Sequence, residues 1–201
     1  MAGQERDVPA GTSARGEAYD ERRAELVRGA VEYLREQGLS RFTLRPLARS
    51  LGTSDRMLLY YFANRDELLV AALESVAAEL LASFEASLPP APATPGAVLA
   101  QVLASAGQPE LETNLRLWVE VLAQAARGDV TCRETAARVL AGWVGWLAER
   151  IDVPDEERRQ VAASLLAVID GIALIYLAGD VEDAFSAAIW LAARLGEGRA
   201  S

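Results

Sequence analysis

Apolar residues in this chain recur at intervals of three and four, and no stretch of any length alternates apolar with polar. The observed spacing lays a stripe along one side of a helix, whereas a half-buried strand needs the alternation that is missing. The expected class is therefore all-α. Glycines, prolines and capping residues cut the pattern into segments. Leu26, Val27, Ala30, Val31 and Leu34 share one face of a helix over about 20–37, which Gly38 closes. Thr43 is a good N-cap for a helix over about 44–51, with Pro46 in its first turn, where a missing N–H costs nothing. Gly52-Thr53-Ser54 breaks the chain, Ser54 caps a short helix over 55–61, and Asn64 caps a long one from Arg65 to about Ser87. "LPPAPATPG", residues 88–96, carries four of the eight prolines and predicts a stiff loop. Further helices are expected over about 97–106, 109–127, 130–151, 155–178 and 181–195. Residues 1–18 read as a mobile arm, 19–65 as a first domain and 66–201 as a second.

Composition removes several kinds of chemistry. The 201 residues contain no histidine, which excludes Ser-His-Asp and Cys-His catalysis and histidine-based zinc sites. The single cysteine, Cys132, cannot form an intramolecular disulfide and fits a reducing compartment. It reads as an inert residue at a helix start. No phosphate-binding or dinucleotide glycine fingerprint appears. The N-terminal stretch has no apolar core and is not a signal peptide. An enzyme built on such a bundle would have to rely on Asp170, Tyr176 or Cys132, so no catalytic residue, cofactor or metal is expected.

The net charge of −9 argues at first against nucleic acid, but it is unevenly placed. Residues 1–70 hold 11 arginines and 11 acids; residues 71–201 hold 9 arginines against 18 acids. Within 38–65, Arg41, Arg45, Arg49, Arg56 and Arg65 face one acid, Asp55. A basic island on an acidic protein suits local phosphate contact.

That island surrounds "GTSDRMLLYYF", residues 52–62. The short helix it predicts has apolar or aromatic groups on every side, so it is either buried or meets something other than water. Two short helices around a glycine turn make a helix-turn-helix, whose second helix enters the major groove of double-stranded DNA. Leu58 and Phe62, four apart, are expected to face inward. Leu59 and Tyr60 would then face thymine methyls, sugars and phosphates. An α-hairpin with a glycine turn also occurs as plain structure.

Residues 22–73 resemble the DNA-binding domain of the TetR family of bacterial transcriptional regulators. The resemblance is carried by the opening amphipathic helix, Gly38, Thr43, Leu47-Ala48, Gly52, Ser54, Leu58, Tyr61-Phe62, Arg65 and Leu68-Leu69. It implies phosphate contacts from Thr43 and Arg45, with a base in reach of Arg45. Ser54, Arg56, Met57 and Tyr60 match the start and the exposed positions of a recognition helix, and Tyr61 and Arg65 match phosphate contacts. Leu59 stands where the family usually has tyrosine, so one hydroxyl-to-phosphate bond is missing there. Asp55 either favours the helix N-terminus or accepts from a cytosine amino group.

"VAASLLAVIDGIALIYLAG", residues 161–179, carries one charge in nineteen residues. Its length approaches a membrane span, but Asp170 at its centre would cost about 2.5–3.5 kcal/mol there. A helix apolar all round can instead lie between a core and a partner subunit. The resemblance implies a homodimer through the helices over 155–178 and 181–195. It also implies a small-molecule pocket, with Trp118, Leu122, Trp143, Trp146, Asp170 and Tyr176 as candidate lining residues. Each tryptophan reads first as plain core packing, and Asp170 as paired with an arginine or backbone group at the dimer seam. Asn114 and Gln124 are expected at solvated or loop-bonded positions. The reading is a cytoplasmic, homodimeric repressor of a palindromic operator. It would be released by a small, largely apolar effector through movement of the helix starting at Arg65. The competing reading is a helical small-molecule-binding or interaction protein without DNA binding.

Overall fold

A computed structural model describes residues 11–87, 92–104, 109–179 and 181–197. The described residues form α1 (Gly11–Gln37), α2 (Leu44–Ser50), α3 (Asp55–Tyr61), α4 (Arg65–Ser87), α5 (Pro95–Ala104), α6 (Pro109–Ala126), α7 (Val130–Arg150), α8 (Asp155–Leu177) and α9 (Val181–Glu197), with a 3₁₀ turn at Leu39–Arg41. The all-α class holds. One boundary differs markedly: α1 begins at Gly11, so residues 11–18, read as mobile arm, are helical. Nothing between Gly11 and Asp20 is a proline, and a polar helix can extend beyond its apolar stripe. The rest of the arm, 1–10, lies outside the described residues, as do 88–91 of the proline-rich loop.

The helix-turn-helix closes as its sequence dictates. Gly52 has φ +61°, a left-handed conformation that costs glycine little. The Ser54 hydroxyl accepts from the Met57 N–H at 3.2 Å, capping α3. Thr43 occupies the N-cap of α2, but its side chain makes no cap bond. Asn64 Oδ1 accepts from Glu67 N–H at 2.9 Å, and Glu67 Oε2 accepts from Ala63 N–H at 2.6 Å, fixing the start of α4. Arg23 of α1 reaches Glu67 at 3.2 Å and lies over the Phe62 ring, 4.7 Å from its centroid.

Two cores result. The first joins Leu26, Val31 and Leu34 of α1 to Phe42, Leu47, Leu58, Phe62, Leu68 and Leu69, and continues into Leu117 and Val121 of α6 and Cys132 and Ala136 of α7. The second packs Val98 and Leu99 of α5 on Leu147, Ile151, Ala162, Leu165 and Leu166. The first core crosses the division expected at 65/66, because α4, α6 and α7 all bury side chains in it. An isolated parallel bridge, Ala93 to Ile151, ties the segment before α5 to the end of α7.

Candidate nucleic-acid interface and effector cavity

The α2–α3 unit sorts its side chains by face. Leu58 and Phe62 are buried, at 0% and 1% exposure, and lock α3 onto the first core. Met57, Leu59 and Tyr60 are 43%, 47% and 65% exposed, an apolar surface on a helix of seven residues. Thr43, Arg45, Arg49 and Arg56 are exposed around it. Asp55 pairs with Arg45, its Oδ2 lying 3.3 Å from Nε, a partner neither sequence alternative supplied. Tyr61 is half-buried: its ring lies 4.8 Å from Tyr19 and 5.0 Å from Tyr60. The Tyr19 hydroxyl donates to its carbonyl at 3.5 Å. Arg65 is committed to structure as well. Its Nε donates to the Phe42 carbonyl at 2.8 Å and its Nη1 to Asp66 at 2.7 Å.

The second domain contains small apolar cavities. One of about 30 Å³ is lined by residues of α4, α6 and α7, among them Asn114, Trp118, Thr135 and Trp143. A second of about 20 Å³ has Phe84, Trp143, Trp146 and Ile169 in its wall. A third of about 60 Å³ is walled by Phe84, Leu103, Glu112, Ile169, Tyr176 and Phe185 among others. Trp143 lines both the first and the second; Phe84, Val102 and Ile169 line both the second and the third. Trp118 and Trp143 stack with centroids 6.0 Å apart. Both indole N–H groups are buried without a hydrogen-bond partner. Trp146 donates to Glu85 at 3.1 Å, beneath the Arg150 guanidinium. The Tyr176 hydroxyl donates to Glu112 at 3.4 Å.

Two expected lining residues stand apart from these cavities. Leu122 packs against the first core, because α6 spans both domains. Asp170 is half-buried on α8, and burial pushes its carboxyl above the ordinary range, with the Trp118 indole acting in the opposite sense. That indole N–H stops short of hydrogen-bond geometry. Among the described residues no arginine pairs with Asp170. Cys132 is buried, and burial followed by Asp129 raises its thiol to about 11, which keeps it protonated near neutrality.

Asn114 is not solvated. It is 7% exposed and its Oδ1 accepts from Arg35 Nε at 3.2 Å. Arg35 also reaches Glu32 and Glu79, each at 2.7 Å. Further along α6, Glu120 Oε2 accepts from the Leu39 N–H at 2.7 Å, just before α2. So α6 holds the helix-turn-helix unit at two points, and one of them, Asn114, lines the first cavity. No local periodicity announces such contacts, since both partners are single polar residues far apart in sequence.

Residues 26–72 match the profile described as "Bacterial regulatory proteins, tetR family". The HTH-type transcriptional regulator BetI of Rhizobium meliloti (strain 1021) is 27% identical over 161 residues, covering 75% of each chain. The multidrug binding protein EbrR, in its complex with ethidium, superposes with a TM-score of 0.68 at 28% identity, over 87% of this chain and 98% of that one. A TetR-family transcriptional regulator from Rhodococcus sp. shares the fold at TM-score 0.70 and 22% identity, over 88% and 98% of the two chains. An exposed short helix on a capped helix-turn-helix, a matching profile over that unit and a likeness that continues through most of the chain point the same way: the chain is similar to the bacterial regulatory proteins of the tetR family.

Proposed function

We propose that the protein is a cytoplasmic homodimeric repressor that binds a palindromic operator and is released by a small, largely apolar effector. The observation that carries it is the exposed row Met57, Leu59 and Tyr60 on α3, ringed by Thr43, Arg45, Arg49 and Arg56. Water gains nothing from that row, while a major groove offers it thymine methyls and phosphates.

The dimer reading rests on a second apolar surface. Leu174 and Ile175 of α8 and Ile189 and Trp190 of α9 are exposed by 44–66%. By length and composition α8 could also cross a membrane, and 17% of its apolar window is buried. The half-buried Asp170 and the adjoining exposed face of α9 favour a protein partner over lipid. A two-fold dimer presents two recognition helices to two half-sites, hence a palindrome.

The effector reading rests on the cavities by the tryptophan pair. At about 20–60 Å³ each has room for a few waters, far below the roughly 300–1,000 Å³ of a ligand pocket. An effector would therefore select a form in which Trp143 and Phe84 have moved and the cavities merge. The likeness to EbrR, a multidrug binding protein solved with ethidium, supports a small-molecule ligand for this chain. Because Asn114 and Glu120 fasten α6 to α1 and the turn before α2, opening there shifts the DNA-binding unit through α6 as well as α4. The effector must bind the DNA-incompetent form more tightly for this to work.

The test is selection from random duplex DNA by the ligand-free protein at near-physiological salt. Recovery of one palindrome supports the reading. Recovery of nothing, repeated after refolding to strip any bound molecule, replaces it with the ligand-binding protein that lacks DNA binding.

A further inference from the structure

We propose that Asp55 is a positioning residue that holds Arg45 to read a guanine in each operator half-site. The assignment rests on the DNA-binding reading above. It begins from an oddity: Asp55 is the one acid in the basic island of 38–65, at the first position of the helix that approaches the nucleic acid. A carboxylate there repels phosphate, so attraction cannot be its contribution.

Its contact suggests what the contribution is. Asp55 Oδ2 sits 3.3 Å from Nε of Arg45, which stands in the first turn of α2. An ion pair at Nε keeps both terminal nitrogens available, and the Arg45 side chain is 87% exposed. Two terminal N–H groups in a planar fork match the O6 and N7 acceptors of guanine. Fixing the fork before docking removes part of the rotamer entropy that a free arginine would lose. The neighbouring carboxylate also biases the fork away from phosphate, because it lowers the local positive charge while leaving neutral acceptors on a base attractive. The other arginines of the island lack this arrangement. Arg41 reaches a neutral group, Gln37, at 3.3 Å, and Arg65 is bound to Phe42 and Asp66 within its own scaffold.

The experiment uses full-length protein and the duplex recovered by selection, together with duplexes carrying each single base-pair change and a random duplex. Affinities are measured for the wild type, Arg45→Ala, Asp55→Asn, Asp55→Glu and the Arg45→Ala/Asp55→Asn double variant, with circular dichroism confirming each fold. Arg45→Ala should lose about tenfold or more of the preference for one guanine per half-site. Asp55→Asn should lose most of the same preference at the same base pair, yet bind random duplex more tightly because a negative charge has gone. Asp55→Glu should restore part of the preference. In the Arg45→Ala background, Asp55→Asn should change preference no further.

Equal tightening of Asp55→Asn on every duplex would mean that Asp55 is only a repulsive charge, and the proposal fails. A change at a base pair that Arg45→Ala leaves untouched would mean that Asp55 itself accepts from a base, and it fails equally. Both failures leave the regulator reading standing. Absence of salt-dependent duplex binding by the wild type removes that reading and this assignment together.

Discussion

At the scale of single residues, two adjacent leucines separate folding from recognition. Leu58 is fully buried and Leu59 is 47% exposed. Leu58→Ala should cost about 2–5 kcal/mol of stability in urea titrations, the range for emptying a core leucine. Leu59→Ala should stay within about 0.5 kcal/mol, as surface changes do, while weakening operator binding. Equal destabilisation by both would mean that α3 presents a different face from the one described. Arg65→Ala should combine the two effects. Losing the bond to the Phe42 carbonyl lowers stability, and losing one phosphate contact weakens binding to all duplexes and reduces the salt slope by about one. Asp170 offers a pH signature. Burial raises its carboxyl above 3.8 in the folded state, so the fold holds that proton more tightly than the unfolded chain does. Its contribution is complete below the unfolded value and is lost as pH rises through the folded one. Asp170→Asn should therefore stabilise the protein near pH 7, with the gain vanishing below about pH 4. Denaturation at both pH values reads it. A loss of stability at pH 7 would show that the charged form has a favourable partner in the folded protein.

At the scale of elements, what the sequence shows and what it hides divide along local and non-local lines. The bounds of α2, α3 and α4 were legible because each end carries its own signal: Gly52, Ser54 and Asn64 act on backbone groups within four residues. The inward turn of Leu58 and Phe62 followed from their spacing alone. The start of α1 was missed because residues 11–18 have no apolar stripe to mark a helix. The 3₁₀ turn at 39–41 was missed for a different reason, since its Leu39 N–H is satisfied by Glu120, 81 residues away. The same holds for Asn114, buried by an arginine 79 positions distant, and for Leu122, drawn into the first core by a helix that belongs to both domains. Gly96 is another such position. It is buried in α5, and an added Cβ would fall on the Ala192 carbonyl and the backbone at Gly196 of α9. Backbone cannot move aside as a flexible side chain can. Gly96→Ala should force α5 and α9 apart and lower stability by about 1–3 kcal/mol, the range for overpacking, even though alanine is the better helix former. A stabilised variant in thermal melts would show that this contact gives way easily.

At the scale of the whole molecule, the two exposed apolar surfaces belong to one design only if they act together. The row on α3 can read one half-site. In the proposed dimer the α8–α9 face, with Trp190 63% exposed beneath the Arg194 guanidinium, sets how many half-sites are read at once. Trp190→Glu places a charge on that face without touching either core, so the monomer should stay folded while association fails. Sedimentation should find the wild type as a dimer, with a melting temperature that rises with concentration, and the variant as a monomer whose melting does not. The DNA result follows from counterion release. A dimer neutralises the phosphates of two half-sites, and the logarithm of its affinity falls with the logarithm of salt in proportion to that number. A monomer neutralises half as many, so its slope on the same palindrome should be about half that of the wild type. A Trp190→Glu protein that still sediments as a dimer, with an unchanged slope, would place the subunit contact on some other face and leave the apolar surface of α8 and α9 for another partner.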